Sequence, residues 1–282
     1  MNMLRTILLM GTLTALIVLL GGLLGGKAGL MIAFIVAVIT NFFSYWYSAP
    51  MALSISGAQP VEREEAPELY EIVARLARRA EIPIPRIYII PSSSPNAFAT
   101  GRDPQHSAIA VTAGILQMLN EHELEGVLAH ELGHVRNRDI LITTMAAVLA
   151  SVITMVAHWG MYLGSFDSEE DGRGGNPLFA LLLVILAPIA AFFIQLAVSR
   201  SREFEADATG ARICGNPNEL ASALEKIDQG AQLYPDRRSN PALSPLYIVK
   251  PDQGSWIANL FSTHPPIPER IKRLREMAMI GG

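Results

Sequence analysis

Cysteine and charged residues are both scarce in this chain. The only cysteine, Cys214, cannot form an internal disulfide and excludes a metal cluster held by several thiolates. A chain without disulfides is typical of a reducing compartment. Charged residues make up 17% of the sequence and the formal net charge is −4, so the basic surface that binds nucleic acid is missing.

A nucleotide-binding loop is also absent from the sequence. The stretch from Gly21 to Lys27 superficially fits a phosphate loop, but Ala28 stands where that loop needs a serine or threonine. Paired glycines in this stretch, such as Gly21 and Gly25, are better explained as positions where helices approach closely. We therefore expect no nucleotide cofactor.

Long apolar runs are abundant. Half of the 282 residues are hydrophobic and the mean hydropathy is +0.31, which is too apolar for a soluble domain of this length. Four runs approach the roughly 20 residues that a bilayer crossing needs: Leu4–Leu24, Leu30–Tyr47, Ile140–Leu163 and Leu178–Val198. The sequence predicts a mainly α membrane protein with four transmembrane helices. No Ala-x-Ala site follows the first run, which favours an uncleaved anchor.

Basic residues indicate the orientation of these spans. Arg5 lies at the start of the first span, Arg136 and Arg138 precede the third, and Arg200 and Arg202 follow the fourth. The loop between the third and fourth spans is acidic instead. Because lysine and arginine near span ends mark the cytoplasmic side, both termini and the polar segments are expected in the cytosol.

The spans divide the chain into four parts. Residues 1–48 and 140–198 each hold two transmembrane helices, and residues 49–139 and 199–282 are polar segments. The two polar segments are too short to fold separately, so we expect one cytosolic α+β domain with a small β-sheet. Periodicity and turn residues predict helices at 66–79, 113–119, 121–137, 199–212, 218–233 and 266–277, and strands at 86–90, 96–100 and 107–111.

The run from Ala129 to His134 is the most informative motif, because it has the HExxH spacing of zinc hydrolases. At 3.6 residues per turn, His130 and His134 lie one turn apart on one helix face and can reach a single ion. Glu131 lies about 100° around the helix, close enough to hold a metal-bound water. A catalytic zinc needs one more protein ligand.

Two candidates for that ligand are excluded by position. A metzincin would continue with glycine and histidine where this chain has Asn137 and Ile140. His158 is 24 residues beyond His134, about 36 Å along a helix, so it cannot share the metal and is better explained as an interfacial anchor.

Glu203 is the expected third ligand. Glu203 and Asp207 are an i, i+4 pair and face the same way, while Glu205 points elsewhere. One acid can ligate zinc while the other accepts the free ring N–H of a ligating histidine. An ordinary charged helix face is the alternative explanation. A hairpin of the third and fourth spans would bring Glu203 to the HExxH helix.

Four motifs follow one another in a fixed order along the chain. They are Asn96–Gly101, His130–His134, Ser199–Asp207 and Thr263–Pro266 with Arg270. Together with two spans before the second motif and two after it, this order resembles the HtpX-type membrane zinc metalloproteases of peptidase family M48, which are related to the Ste24 CAAX prenyl protease.

The resemblance implies a zincin-like (gluzincin) domain in which His130, His134 and Glu203 hold one Zn²⁺ and Glu131 is the general base. It also implies an endopeptidase of the bacterial inner membrane that cleaves misfolded or damaged membrane proteins on the cytosolic side. Its partners would be polypeptide substrates and the lipid bilayer. Without a nucleotide loop it would cleave without ATP, unless a separate ATP-dependent membrane protease cooperates.

Two further groups are assigned to the same site. His264 is a candidate donor to the oxyanion, with helix capping or loop packing as the alternative. Asn96, Ala97, Phe98 and Ala99 are expected to form an exposed edge strand that pairs with the substrate backbone, with an ordinary strand as the alternative. Arg270 is a weaker candidate for the oxyanion donor, and we expect it instead to be a solvated residue on the last helix.

Other functional classes fit the sequence less well. A transporter or channel needs ionisable residues inside the spans, which have almost none. An inactive scaffold is disfavoured because Glu131 is retained, and an intramembrane protease would place HExxH inside a hydrophobic span. The irregular stretch Tyr234–Ser262 prompts the hypothesis of a latent form in which it fills the cleft.

Overall fold

The computed structural model describes residues 2–151, 200–234, 241–248 and 265–280. These residues form a mostly helical protein with one small mixed β-sheet, as the sequence predicts. The predicted span Leu178–Val198, the rest of the third predicted span beyond residue 151, His158 and His264 lie outside the described residues.

The first helix, α1 (Asn2–Ile55), is interrupted at Gly26, where φ is 56° and ψ is −140°. The side chain of Asn41 donates a hydrogen bond to Thr14 Oγ1 at 2.6 Å. A straight helix would hold these two residues about 40 Å apart, so α1 folds back on itself as a helical hairpin. Gly21 lies where the arms meet, because a Cβ there would collide with the opposite arm.

One helix among the described residues is long and apolar enough to cross a membrane. It is the second arm of α1, Gly25–Ile55, with 31 residues, and it contains the second predicted span. Its large apolar side chains face outward, as at Met31, which is 68% exposed. The apolar helices Thr6–Leu19 and Ile140–Ser151, which belong to the first and third predicted spans, are shorter. The four-span arrangement therefore stays a prediction.

The sheet has four strands in the order β1-β2-β4-β3. The central pair, β2 (Arg86–Ile90) and β4 (Ser107–Thr112), is parallel, and β3 (Ala97–Gly101) runs antiparallel to β4 at the edge. The three strands predicted from sequence are confirmed. The two-residue β1 (Gln59–Pro60) was not predicted, because so short a strand has no readable alternation.

Helical segments pack on both faces of this sheet, and most of the helices lie where periodicity predicts. Their bounds are α2 (Pro67–Ala80), α3 (Ala113–Met118), α4 (Glu121–Asn137), α5 (Ile140–Ser151), α6 (Arg200–Cys214), α7 (Pro217–Leu233) and α8 (Ile267–Ile280). Short 3-10 turns span Pro104–His106 and Pro241–Leu246. The main core lies between α2, α4, α6, α7 and the sheet.

The helix α4 runs through the middle of this core. A capping box of Asn120 and Glu123 starts it, and Arg138, in the left-handed conformation with φ 57°, ends it. Most of α4 is buried inside the folded domain rather than exposed to water. It touches α6 closely, because a Cβ on Gly210 would lie 2.8 Å from the His130 Cα and one on Gly133 3.1 Å from the Ala206 carbonyl.

Candidate metal centre

The contact between α4 and α6 brings the predicted ligands together. The Nε2 atoms of His130 and His134 are 3.2 Å apart. The Glu203 carboxylate oxygens lie 3.9 Å from His130 Nε2 and 3.7 Å from His134 Nε2. Direct packing of α4 on α6 sets these distances among the described residues. The hairpin of membrane helices that we expected to bring them together lies mostly outside those residues and stays a prediction.

The donor atoms fit a tetrahedral metal. Zinc–nitrogen and zinc–oxygen bonds near 2.0–2.1 Å place neighbouring ligand atoms about 3.3–3.4 Å apart, and the three observed separations bracket that value. Both Nδ1 atoms face carboxylates, Asp207 for His130 and Asp139 for His134. If each Nδ1 carries the proton, two Nε2 lone pairs face each other, and a cation between them removes their repulsion. His130, His134 and Glu203 therefore form a candidate metal site.

Asp207 lies where the sequence predicts, on the far side of the His130 ring. Its Oδ1 is 3.0 Å from His130 Nδ1. Burial alone would raise the pKa of Asp207, but the Arg270 guanidinium and His130 outweigh burial and lower that pKa to about 2. Burial and Arg270 together lower the pKa of His130 to about 4, so its ring is neutral at pH 7 and able to bind a metal.

Arg270 contradicts our expectation of a solvated residue. Its side chain is fully buried, and Nη2 and Nε donate hydrogen bonds to both carboxylate oxygens of Asp207 at 2.7 and 2.9 Å. The resemblance includes Arg270 in a motif, but the pattern of α8 does not predict its burial, because α8 lies far from α6 in the chain and Arg270 stands next to other charged residues. Its partner becomes visible only when the two helices pack.

Asp139 is a site residue that sequence reasoning missed. Its Oδ1 and Oδ2 lie 3.1 and 3.2 Å from His134 Nδ1, and its side chain is 3% exposed. The available signal was an acid five residues after the second motif histidine. One helical turn does not place position i+5 beside i, so periodicity alone gave no reason to choose it.

The cluster holds a surplus of buried negative charge. Burial would lower the pKa of His134, but Asp139 and Glu203 reverse this and raise it to about 10. Burial raises the pKa of Glu131 to about 8, with Glu203 adding to the rise. His134 and Glu131 therefore hold their protons strongly. A divalent cation would be attracted by the same carboxylates, and its binding would displace those protons.

Glu131 connects the candidate metal site to the edge strand β3. Its Oε2 accepts a hydrogen bond of 2.8 Å from the Ala99 N–H, and its side chain is buried. The opposite edge of β3 is paired to β4, since Asn96 O accepts from the Thr112 N–H and the pairing continues along the strand. The four residues predicted to bind substrate are buried, not exposed as we expected, because residues 245–248 and Glu131 cover this edge. Ala97 and Ala99 turn backbone groups toward that covered edge, whereas Asn96 and Phe98 turn theirs toward β4.

A narrow cleft lies between this edge and the metal-site residues. Residues 245–248 form its outer wall, opposite His130, Glu131 and Glu203. The Ile248 N–H donates to the Ala97 carbonyl at 3.3 Å, and the Tyr247 ring meets Phe98 edge-on at 5.5 Å. The cavity left is about 30 Å³, which holds one water.

Two further positions complete the comparison with the sequence. His264, the predicted oxyanion donor, lies outside the described residues. A second group of possible ligand atoms, His122, Glu125 and Glu219, sits at the surface, and Glu125 is already paired with Arg75. His122 is a surface histidine whose side chain is 77% exposed.

Two histidines and a glutamate that can hold one metal ion, with a second glutamate beside them, are suited to a hydrolase that activates water on a metal. The chain belongs to peptidase family M48, whose model matches residues 63–278. It is therefore a metalloprotease.

The relatives are similar along their whole length. The chain is 54% identical over 282 residues to the "Protease HtpX homolog" of Pelotomaculum thermopropionicum, covering 99% of this chain and 100% of the relative. It is 52% identical over 278 residues to that of Pyrococcus furiosus, covering 98% of this chain and 96% of the relative.

The crystal structure of S. mikatae Ste24p has a similar fold, with a TM-score of 0.50 and 20% identity, and the match covers 97% of this chain and 65% of that one.

Proposed function

We propose that this chain is a zinc-dependent endopeptidase that cleaves misfolded or damaged membrane proteins on the cytosolic side of a bacterial inner membrane. The observation that carries the proposal is the buried group of His130, His134 and Glu203 with Glu131 beside it. These donors suit one Zn²⁺, because two imidazoles and one carboxylate leave a fourth position open.

The residues around that position support peptide hydrolysis. Zinc bound there would lower the pKa of a water toward ~7 and polarise the scissile carbonyl. Glu131 takes a proton from the attacking water and delivers it to the leaving amine. The Ala99 N–H holds the Glu131 carboxylate at the edge of β3, next to where a substrate backbone would lie. His264 stays our candidate donor to the oxyanion.

The outward groups of β3 are proposed to bind substrate. Ala97 and Ala99 present backbone groups along one edge, and main-chain pairing reads no side chains, so a broad range of polypeptides can bind. In the described structure the Ala97 carbonyl already accepts a hydrogen bond from the Ile248 N–H. A substrate strand therefore pairs there after residues 245–248 move aside, which gives the chain a latent form.

The proposed topology has four transmembrane helices. Residues 1–48 and 140–198 hold two each, and residues 49–139 and 199–282 together make the cytosolic catalytic domain. The exposed apolar arm Gly25–Ile55 and the basic residues at span ends support this orientation. Partners would be unfolded or membrane polypeptides and the bilayer, with a separate ATP-dependent membrane protease as an optional partner.

Metal removal tests the proposal. The full chain, purified in detergent, should cleave an unfolded membrane polypeptide, lose that activity with a chelator such as 1,10-phenanthroline, and regain it with one equivalent of Zn²⁺ but not with Mg²⁺. Cleavage that persists in protein shown by metal analysis to contain no zinc would contradict the zinc assignment. Absence of cleavage by the zinc-loaded chain would contradict the function.

A further inference from the structure

Asp139 lies just outside the HExxH motif, between the end of α4 and the start of α5. Both of its carboxylate oxygens are within 3.2 Å of His134 Nδ1. Its side chain is 3% exposed, so the contact is shielded from water. The metal-facing atom of the same ring, Nε2, points to His130.

The backbone of the turn directs Asp139 at this ring. Arg138 has a φ of 57°, in the left-handed region that residues other than glycine adopt rarely. This reverses the chain so that the Asp139 N–H donates to the His134 carbonyl at 3.3 Å. Backbone and side chain of Asp139 are therefore both anchored to His134.

An ordinary helix-capping role does not account for the carboxylate. An aspartate just before a helix usually accepts a backbone N–H from the first turn. The carboxylate of Asp139 instead lies against His134 Nδ1, and α5 is held through the Asp139 carbonyl, which accepts from the Thr143 hydroxyl at 3.0 Å.

We propose that Asp139 is a positioning residue that fixes the tautomer and orientation of His134 for metal binding. The proposal rests on the zinc centre described above. By accepting the Nδ1–H, the carboxylate leaves the Nε2 lone pair free for the metal and increases its basicity. Asp207 does the same for His130 from a different helix, so each histidine ligand has its own buried carboxylate.

The position of Asp139 joins two parts of the protein. Ile140, the next residue, begins the apolar helix α5. No residue lies between the start of α5 and Asp139, whose carboxylate contacts His134.

Zinc affinity of the purified full chain, measured by competition with a chromophoric chelator, tests the proposal. Asp139→Leu removes the acceptor at similar size and should weaken zinc binding about 10- to 100-fold, and Asp139→Asn, which keeps a weaker acceptor, should fall between Leu and wild type. The matched control is Asp103→Leu, which breaks an exposed aspartate–histidine pair at His106 with the same atoms and should leave affinity unchanged.

A spectroscopic measurement separates positioning from mere packing. With Co²⁺ in place of Zn²⁺, the visible absorption of saturated Asp139→Leu should differ from wild type, since the His134 ring is no longer fixed, whereas Asp103→Leu should match wild type. Wild-type affinity and spectrum in a folded Asp139→Leu would overturn the proposal. If that variant does not fold, Asp139→Asn decides: faster zinc release supports the proposal, and an unchanged rate overturns it. Failure of wild type to bind zinc would instead refute the zinc centre itself.

Discussion

Arg270 and Asp207 form a bidentate ion pair in the interior, with contacts of 2.7 and 2.9 Å between residues 63 positions apart. The pair ties the last described helix, α8, to α6. Because Asp207 also contacts His130 Nδ1 at 3.0 Å, α8 is connected to a candidate metal ligand through one carboxylate.

The first prediction concerns the loss of this ion pair. Arg270→Met leaves the Asp207 carboxylate buried without its cation, and breaking a buried pair in this way costs about 3–5 kcal/mol. We expect the free energy of unfolding, measured by denaturant titration of the metal-free chain in detergent, to fall by that amount.

A matched control is available on the same helix. Arg275 pairs with Glu225 at the surface, where both side chains are more than 40% exposed. Arg275→Met should therefore change the free energy of unfolding by less than about 1 kcal/mol. If both substitutions lower the free energy of unfolding equally, the buried pair stabilises the fold no more than the exposed pair does.

The second prediction concerns Glu131, the proposed general base. Glu131→Gln keeps the shape of the side chain but cannot accept the proton, so kcat for peptide cleavage should fall by about 10²- to 10⁴-fold. Zinc content should stay at one per chain, because the three proposed ligands are intact. Glu121→Gln, an exposed glutamate at the start of the same helix, is the control. Near wild-type kcat in Glu131→Gln would refute the assignment.

The third prediction concerns the third ligand. Glu203 is buried beside both histidines, whereas Glu205, two residues along α6, is exposed. Glu203→Ala should weaken zinc binding by more than about 100-fold, beyond the effect expected for a residue that only supports a ligand. Glu205→Ala should bind as wild type does. Metal analysis after dialysis against a weak chelator measures both, and equal zinc retention would sink the assignment.

Local sequence patterns predicted the helices, most of the strands and most residues of the candidate metal site. The i, i+4 spacing of Glu203 and Asp207 and the HExxH spacing each depend on one helix, and helical periodicity is visible in a short window. The structure places these residues together. The parallel pairing of β2 with β4 and the edge position of β3 could not be read from the sequence, because pairing depends on residues far apart in the chain.

Sequence reasoning misjudged Arg270 and missed Asp139, for two different physical reasons. Arg270 is buried only because α8 packs against α6, and no pattern within α8 announces that contact. Asp139 reaches His134 only because Arg138 adopts a left-handed conformation, which local propensity disfavours for arginine. Both are long-range or strained features at a functional site, where local rules are least informative.

The fourth prediction concerns the close approach of α4 and α6. A Cβ at Gly210 would lie 2.8 Å from backbone atoms of His130, and backbone cannot rotate away. Gly210→Ala should therefore push the helices apart, destabilise the fold by about 1–3 kcal/mol and weaken zinc binding. Gly11→Ala, at a helical glycine with open space around it, is the control for both measurements. Unchanged zinc affinity and stability in Gly210→Ala would show that the spacing of the ligands does not depend on this contact.

The fifth prediction concerns access to β3. Tyr247 packs edge-on against Phe98, a contact worth about 0.5–1.5 kcal/mol. The Ile248 N–H donates a hydrogen bond to the Ala97 carbonyl. If residues 245–248 compete with substrate, Tyr247→Ala should raise kcat/KM for an unfolded polypeptide about 2- to 10-fold by populating the open state. Ile248→Pro, which removes the backbone donor, should act in the same direction.

The control for this prediction is Tyr234→Ala, which removes an exposed tyrosine from the preceding helix end and should leave kcat/KM unchanged. Adding Glu131→Gln to Tyr247→Ala should abolish the gain, because faster access cannot replace the general base. An active wild type whose kcat/KM does not rise in either Tyr247→Ala or Ile248→Pro would mean that residues 245–248 form a fixed wall of the cleft, and that substrate reaches the centre without displacing them.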